Sequence, residues 1–385
     1  PASEFYNQDG NGLPFFQGVK DFGEKYPTET SWSTITPKVA EKGDVLFSVR
    51  APVGELNIAN KKCCIGRGVA AIRSINNQAD YLYFLLKSYI EKIKSFGNGS
   101  VYDAVNKDTL EKIIVDVFSD SKTQTRIASV LSAYDDLIEN NEKRIKALEE
   151  MAQLLYTEWF VKFNFHGHEK VTMIDSHTKY GMIPTGWEVK KLDEVASFVR
   201  GCSYSSEEID DFSGDYYMIN LKSFNRGGGF RFDGAKYFSG TINNNQLLTA
   251  GDITVAVTDM TNNRAVIARP ARVPELAGEI TLSADVVKIN SDTLPSSFLY
   301  ELLSSHRFTE TTKQKANGAN VLHLKPAAIL EFLAIIPDTK SLEEFDVFCK
   351  PTINEVDKLM KQNDVLTKTR DLLIPQLVTG RRELK

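Results

Sequence analysis

One dipeptide recurs together with its surroundings. Asn98-Gly99 returns as Asn317-Gly318, 219 residues later, and each copy precedes a long run whose apolar residues step by three and four. In the first run the positions are Ile127, Leu131, Tyr134, Ile138, Asn141, Ile145, Leu148, Ala152, Leu155 and Trp159. A shift of 218 lands on Phe345, Cys349, Thr352, Val356, Leu359, Asn363, Leu366, Arg370 and Leu373. Such spacing predicts amphipathic helices able to zip against a partner helix, and a repeat of this kind predicts two copies of one module. At 1.5 Å per residue, a helix from Ile127 to Trp159 would be about 50 Å long. A pseudo-two-fold relation would set the helices antiparallel, with Asn141 and Asn363 fixing register. A homodimeric coiled coil is the alternative.

In each module a Gly-Asp turn opens a strand. Gly43-Asp44 precedes Val45–Val49, and Gly251-Asp252 precedes Ile253–Val257. Strand-like runs follow at Val69–Ile72 and Ala284–Ile289, then helical stretches at Tyr81–Phe96 and Phe298–Thr312, then the Asn-Gly breaks, then closing strands at Leu110–Val117 and Phe332–Pro337. The offset grows from 208 at the Gly-Asp turns to 219 at the Asn-Gly turns. About ten residues are therefore gained around Thr258–Glu279, and inserted loops are where binding resides. Residues 183–202 have no counterpart in the first copy, so its opening strand region is expected to be missing. The expected organisation is a first domain (1–123), a first helix (124–163), a polar linker (164–182), a second domain (183–340), and a second helix with its tail (341–385). Pro375 should break the second helix.

Net charge is −5, and residues 1–123 hold 15 basic and 15 acidic residues, so no basic tail is present. A nucleic-acid partner would have to be gripped by local loops. Cys63, Cys64, Cys202 and Cys349 form no Cys-x-x-Cys pair and read as buried free thiols of a reducing, cytoplasmic compartment. No apolar run is long enough to span a membrane. His166 and His168 lack further ligands at metal spacing, so no metal is expected. No Walker loop, nucleophile elbow or His-Glu-x-x-His occurs, nor the Asn/Asp-Pro-Pro-Tyr/Phe loop an amino-methyltransferase would need; no catalytic residue is expected.

Loops beside strand ends do carry residue types that read base edges and hold phosphates. In the first module these are Ser48, Arg50, Lys61, Lys62, Arg67, Asn98, Ser100 and Tyr102. In the second they are Arg200, Ser203, Tyr204, Lys222, Asn225, Arg226, Arg231, Thr258, Asn262, Asn263, Arg264, Asn317 and Asn320. The end of the first helix is unusually apolar, and Leu155, Tyr156, Trp159 and Phe160 read either as a partner-protein surface or as packing onto the adjoining domain.

Several segments resemble one known family. Gln124–Leu131, Leu148–Tyr156 and Trp159-Phe160 resemble the central conserved region of the specificity subunits of Type I restriction–modification enzymes. Val49–Gly54, Cys64–Gly68, Ile183–Trp187 and Leu373–Gly380 are similar to further motifs of that family. The resemblance implies an α+β fold with two similar mixed α/β target-recognition domains joined and separated by two long antiparallel coiled-coil helices. It implies a non-catalytic reader of double-stranded DNA at an asymmetric bipartite site. It also implies two methyltransferase partners, which bind S-adenosylmethionine and methylate adenine N6, and ATP-driven restriction/translocase subunits. A tandem-repeat coiled-coil scaffold without a nucleic-acid role is the competing expectation. Arg370 departs from the pattern, standing in a helix seam where an apolar residue is expected.

Overall fold

A computed structural model describes residues 3–23, 25–96, 105–261 and 263–383. The chain divides into two compact units, Pro1–Glu139 with Val365–Lys385, and Asn140–Asp364.

In the first unit Gly43 adopts φ 89°, a left-handed conformation that favours glycine, and its N–H donates to Ala59 O at 2.8 Å. Asp44 closes the turn. Its carboxylate accepts Glu41 N at 2.8 Å and is gripped by Arg73 at 2.6 and 2.7 Å. The strand that leaves this turn, Val45–Ser48, lies between antiparallel Leu56–Ile58 and Val69–Ile72. In a second sheet Leu13–Phe16 runs parallel to Cys63–Ile65 and antiparallel to Trp32–Ser33. Helix Ala79–Ser95 buries Tyr81, Phe84, Leu85 and Ile93 against Val45 and Phe47.

The second unit also has a Gly-Asp turn that leads into its central strand. Gly251, at φ 91°, donates to Val273 O at 2.8 Å, and Asp252 accepts Thr249 N at 2.7 Å. Ile253–Ala256 lies between antiparallel Pro270–Arg272 and Val286–Asn290. Tyr216–Ile219 runs parallel to Glu279–Leu282 and antiparallel to Lys236–Phe238. Helices Ser296–Ser304 and His306–Lys313 occupy the place of the single helix in the first unit, separated at Ser305. Both central strands end on the same two main-chain bonds. Val49 N donates to Gly68 O and Val49 O accepts Val105 N, while Val257 N donates to Asp285 O and Val257 O accepts Leu324 N.

Where the two differ, pairing explains it. Leu333–Ile336 forms a strand by pairing with Glu188–Lys191, a segment without a counterpart among residues 1–123. Leu110–Val117, expected as the equivalent closing strand, is not one: Leu110 and Glu111 end the short helix Lys107–Glu111, residues 112–117 pair with no strand among the described residues, and Ile114 is exposed. Residues 173–184, expected within a polar linker and its exit, form a hairpin of Met173–Asp175 and Met182–Pro184. Tyr180 pins its turn, donating to Leu333 O and stacking under the Arg307 guanidinium at 3.8 Å.

The first long helix spans Ser121–Tyr156 and the second Thr339–Val378. In each unit the segments of the two helices run antiparallel. In the second unit Asn141 Nδ2 donates to Asn363 Oδ1 at 2.9 Å and Arg144 pairs with Glu355 at 2.8 Å. In the first unit Ile127 and Leu131 share a core with Ile374 and Leu377. There Arg370, out of place by periodicity, is nearly buried and matched by Asp135 at 2.7 Å, with Asp371 bracing its other side at 2.9 Å. Opposite charge close by keeps a buried guanidinium ionised; losing that partner would be costly. Pro375 does not end the second helix, which runs on to Val378. Ile374, Leu377 and Val378 are buried, and Tyr81 donates to Val378 O at 3.0 Å, so packing outweighs the roughly 3 kcal/mol cost of an interior proline.

The first long helix leaves through a wider turn, Thr157–Val161, in which Lys162 N reaches back five residues to Thr157 O at 2.9 Å. That turn points two consecutive rings, Trp159 and Phe160, inward. Phe163 then takes a left-handed φ of 63° while Asn164 N bonds Glu158 O at 2.7 Å, the usual glycine-type helix stop made with an aromatic instead.

Candidate nucleic-acid interface

The expected partner surface at the end of the first helix is a correction. Tyr156, Trp159 and Phe160 are buried, and Leu155 packs against the same cluster half-buried. Phe160 lies 4.9 Å from both Phe298 and Phe345 and 5.6 Å from Trp187, and Trp159 lies 5.9 Å from Phe345. These rings are the core of the second unit, reached because the wide turn removes them from the helix exterior.

In the first unit the candidate residues separate into kinds. Ser48 is fully buried; its hydroxyl donates to Pro52 O at 2.7 Å and accepts Glu55 N at 2.8 Å, so it holds a turn and cannot reach a base. Lys61 and Lys62 are exposed but paired, with Glu29 at 2.7 Å and Glu41 at 2.8 Å. Arg50 and Arg67 are exposed and flank the bonded pair Val49 and Gly68, which brings two guanidinium groups to one end of the sheet. Asn98, Ser100 and Tyr102 lie outside the described residues.

In the second unit two loops are laced together. The first is a hairpin closed by the Phe224–Phe230 bridge and by Arg231 N donating to Ser223 O at 2.8 Å. Its tip carries Asn225 and Arg226 and turns through Gly227, Gly228 and Gly229 at φ 101°, 114° and 84°, a run open only to glycine. The second loop follows Thr258. Gly227 N donates to Ala265 O at 3.0 Å and Gly229 N to Pro270 O at 2.9 Å, which sets Asn225 and Arg226 beside Asn263 and Arg264. Asn225, Arg226 and Asn263 are exposed and Arg264 half-exposed; Lys222 and Arg231 are exposed where the hairpin begins and closes. Asn262 lies outside the described residues.

Thr258 is again a correction. It is buried in a short ladder with His323, its hydroxyl 3.4 Å from His323 Nδ1. Asn317 is bound to His323 through both main-chain bonds, at 3.0 and 2.8 Å, so the exposed Asn317 and Asn320 border the same sheet end. Ala284 N donates to Cys202 O at 2.8 Å, which carries exposed Ser203 and Tyr204 toward Asp285 and Val257. Arg200 is exposed over the Phe198 ring. Sequence reasoning missed two residues. His323 is exposed at the junction of the two loop systems. Asp259, buried, organises the second loop: Oδ1 accepts Thr261 N at 2.6 Å, and Oδ2 accepts Val266 N at 2.7 Å and Ile267 N at 2.9 Å. Burial alone would raise its carboxyl pKa, but these bonds outweigh burial and hold it below the ordinary value. An acid set three residues ahead of the Asn-Asn-Arg run was the available signal.

Among the described residues there is no cluster of three or more metal-ligating side chains and no helix long and apolar enough to cross a membrane. The arrangement offers amide and guanidinium groups on rigid loops, suited to bidentate contact with base edges and to phosphate binding.

Residues 28–150 match the Type I restriction modification DNA specificity domain. Over 371 residues, 93% of this chain and 82% of the relative, the sequence is 27% identical to the Type I restriction enzyme MjaIX specificity subunit of Methanocaldococcus jannaschii. Over most of its length the chain is thus similar to a Type I specificity subunit. A putative MjaX specificity subunit of the same organism is 42% identical over 152 residues, and this match spans 39% of the chain and 36% of the relative. The fold is also similar to that of a solved structure: the crystal structure of a Type I restriction–modification S subunit from M. genitalium superposes over 100% of this chain and 92% of that one, with a TM-score of 0.55 at 14% identity.

Proposed function

We propose that this chain is the DNA sequence-specificity subunit of a Type I restriction–modification system. In this reading the two units are copies of one module, and each reads one part of a bipartite site. The observation that carries it is the shared sheet end. Val49 and Val257 make equivalent main-chain bonds, yet the loops around them differ, with Arg50 and Arg67 in one unit and Asn225, Arg226, Asn263 and Arg264 in the other. One frame carrying unlike polar loops fits two unlike half-sites. The chain itself performs no chemistry. Two methyltransferase subunits would bring S-adenosylmethionine and methylate adenine, restriction/translocase subunits would complete the assembly, and it would act in the cytoplasm. With a net charge of −5, the chain alone binds DNA weakly in this reading, and its partners supply the remaining positive field.

The test is selection from a random duplex pool by the full chain co-expressed with its methyltransferase subunit. Enriched sequences should resolve into two short, different motifs separated by unspecified base pairs. A palindromic or continuous motif refutes the reading, and absence of any sequence preference returns the chain to a scaffold role.

A further inference from the structure

The loop that presents Asn263 and Arg264 is held in a conformation it would not adopt unaided. Arg264 and Ala268 take left-handed φ of 53° and 59°, which non-glycine residues avoid. Such residues persist only where their surroundings over-determine them. Here the surroundings converge on one side chain. The Asp259 carboxylate gathers the amides of Thr261, Val266 and Ile267, at both ends of the loop. The Thr261 hydroxyl continues the closure, accepting Ala265 N at 2.9 Å. From outside, Ala265 O is fixed by Gly227 N. Among the described residues the carboxylate is met by main-chain N–H groups and Thr261, with no Lys or Arg bonded to it, so its role is geometric.

We infer that Asp259 is a positioning residue for base discrimination: by closing the Thr261–Ile267 loop it fixes Asn263 and Arg264, and so sets which bases of double-stranded DNA the second unit accepts. The inference rests on the DNA-reading function proposed above. Bidentate Asn–adenine and Arg–guanine contacts tolerate little displacement and discriminate by roughly tenfold to a hundredfold each. A loosened loop keeps its charge and hence its phosphate affinity, and loses mainly selectivity.

The experiment uses the full chain with its methyltransferase subunits and two variants. Asp259→Asn is isosteric but turns an acceptor into a donor facing amides. Thr261→Val removes the acceptor for Ala265 N and the hydroxyl that meets the Asp259 carboxylate while leaving the carboxylate and its main-chain bonds in place, and serves if the first variant folds poorly. Hydrogen exchange at Val266 and Ile267 reads the loop without DNA. Competition between the selected duplex and single-base variants of each half-site reads discrimination. Asp259→Asn should speed exchange at both amides by about tenfold or more, as loss of a buried bond predicts. It should also lower discrimination about fivefold or more in one half-site only, and Thr261→Val should do less in the same direction. Unchanged exchange overturns the positioning role. Faster exchange with discrimination intact, or lost equally in both half-sites, overturns the link to base reading. A wild-type complex without base preference removes the underlying function as well, which sets that failure apart.

Discussion

Glu301→Gln should stabilise the second unit, and more so at higher pH. Glu301 is 3% exposed, on the helix Ser296–Ser304, and lines a small cavity with Glu149, Tyr300, Arg272 and Asp357. From the first long helix Gln153 donates to its carboxylate, and Glu149 adds a like charge; Arg272 opposes them, itself paired with Asp357 of the second long helix. Burial is the largest influence and pushes the Glu301 carboxyl from 4.5 up to about 7. The folded state thus holds a proton that the unfolded chain releases, so stability from this group is full below pH 4.5 and is lost as pH rises toward 7. At about 1.4 kcal/mol per pKa step, ionised Glu301 costs on the order of 3 kcal/mol above pH 7. Glutamine keeps an acceptor for Gln153 and never ionises. We expect a gain of roughly 1–3 kcal/mol at pH 8 and close to none at pH 4.5. Trp159 and Trp187, two of the three tryptophans, lie in this unit's core, so fluorescence-monitored urea unfolding reports on it. A variant no more stable than wild type at pH 8, or a difference independent of pH, would refute the reasoning.

Three further outcomes follow from the packing. Trp159→Ala should cost about 3–5 kcal/mol in unfolding free energy of the second unit, and a complex that fails to assemble from a fully stable variant would restore the partner-surface reading. Ser48→Ala should destabilise the first unit by about 1–2 kcal/mol in thermal unfolding and leave base preference untouched, since its hydroxyl serves only Pro52 and Glu55; altered preference would contradict the assignment. In a binding assay with the methyltransferase subunit present, Arg264→Ala should weaken selected-duplex affinity by about 1–3 kcal/mol, whereas Lys61→Ala, already paired with Glu29, should change it little; the reverse order would relocate the interface.

The sequence exposed those parts of the molecule that rest on local chemistry. The Gly43-Asp44 and Gly251-Asp252 turns were legible because a left-handed glycine followed by a capping acid is a short-range device. The Asn141 and Asn363 positions were legible because helix periodicity alone selects them. The loops bearing Asn225, Arg226, Asn263 and Arg264 stood out by composition, but not the bonds that bring them together, which join residues some forty apart. Ser48 and Thr258 misled because a hydroxyl at a strand end looks the same whether it faces solvent or a turn. Trp159 and Phe160 misled because a 3.6-residue period cannot place neighbours on one face; the wide turn at Thr157–Val161 can. Leu110–Val117 had the composition of a strand, and composition does not supply a partner.

The bonds that terminate the central strands at Val49 and Val257 involve peptide groups alone. They place no demand on the identity of the side chains that come next. The segments beyond them are therefore free to be rewritten, by drift or by exchange of whole loops, while the scaffold beneath keeps its shape. A protein organised this way can change what it recognises without having to relearn how to fold.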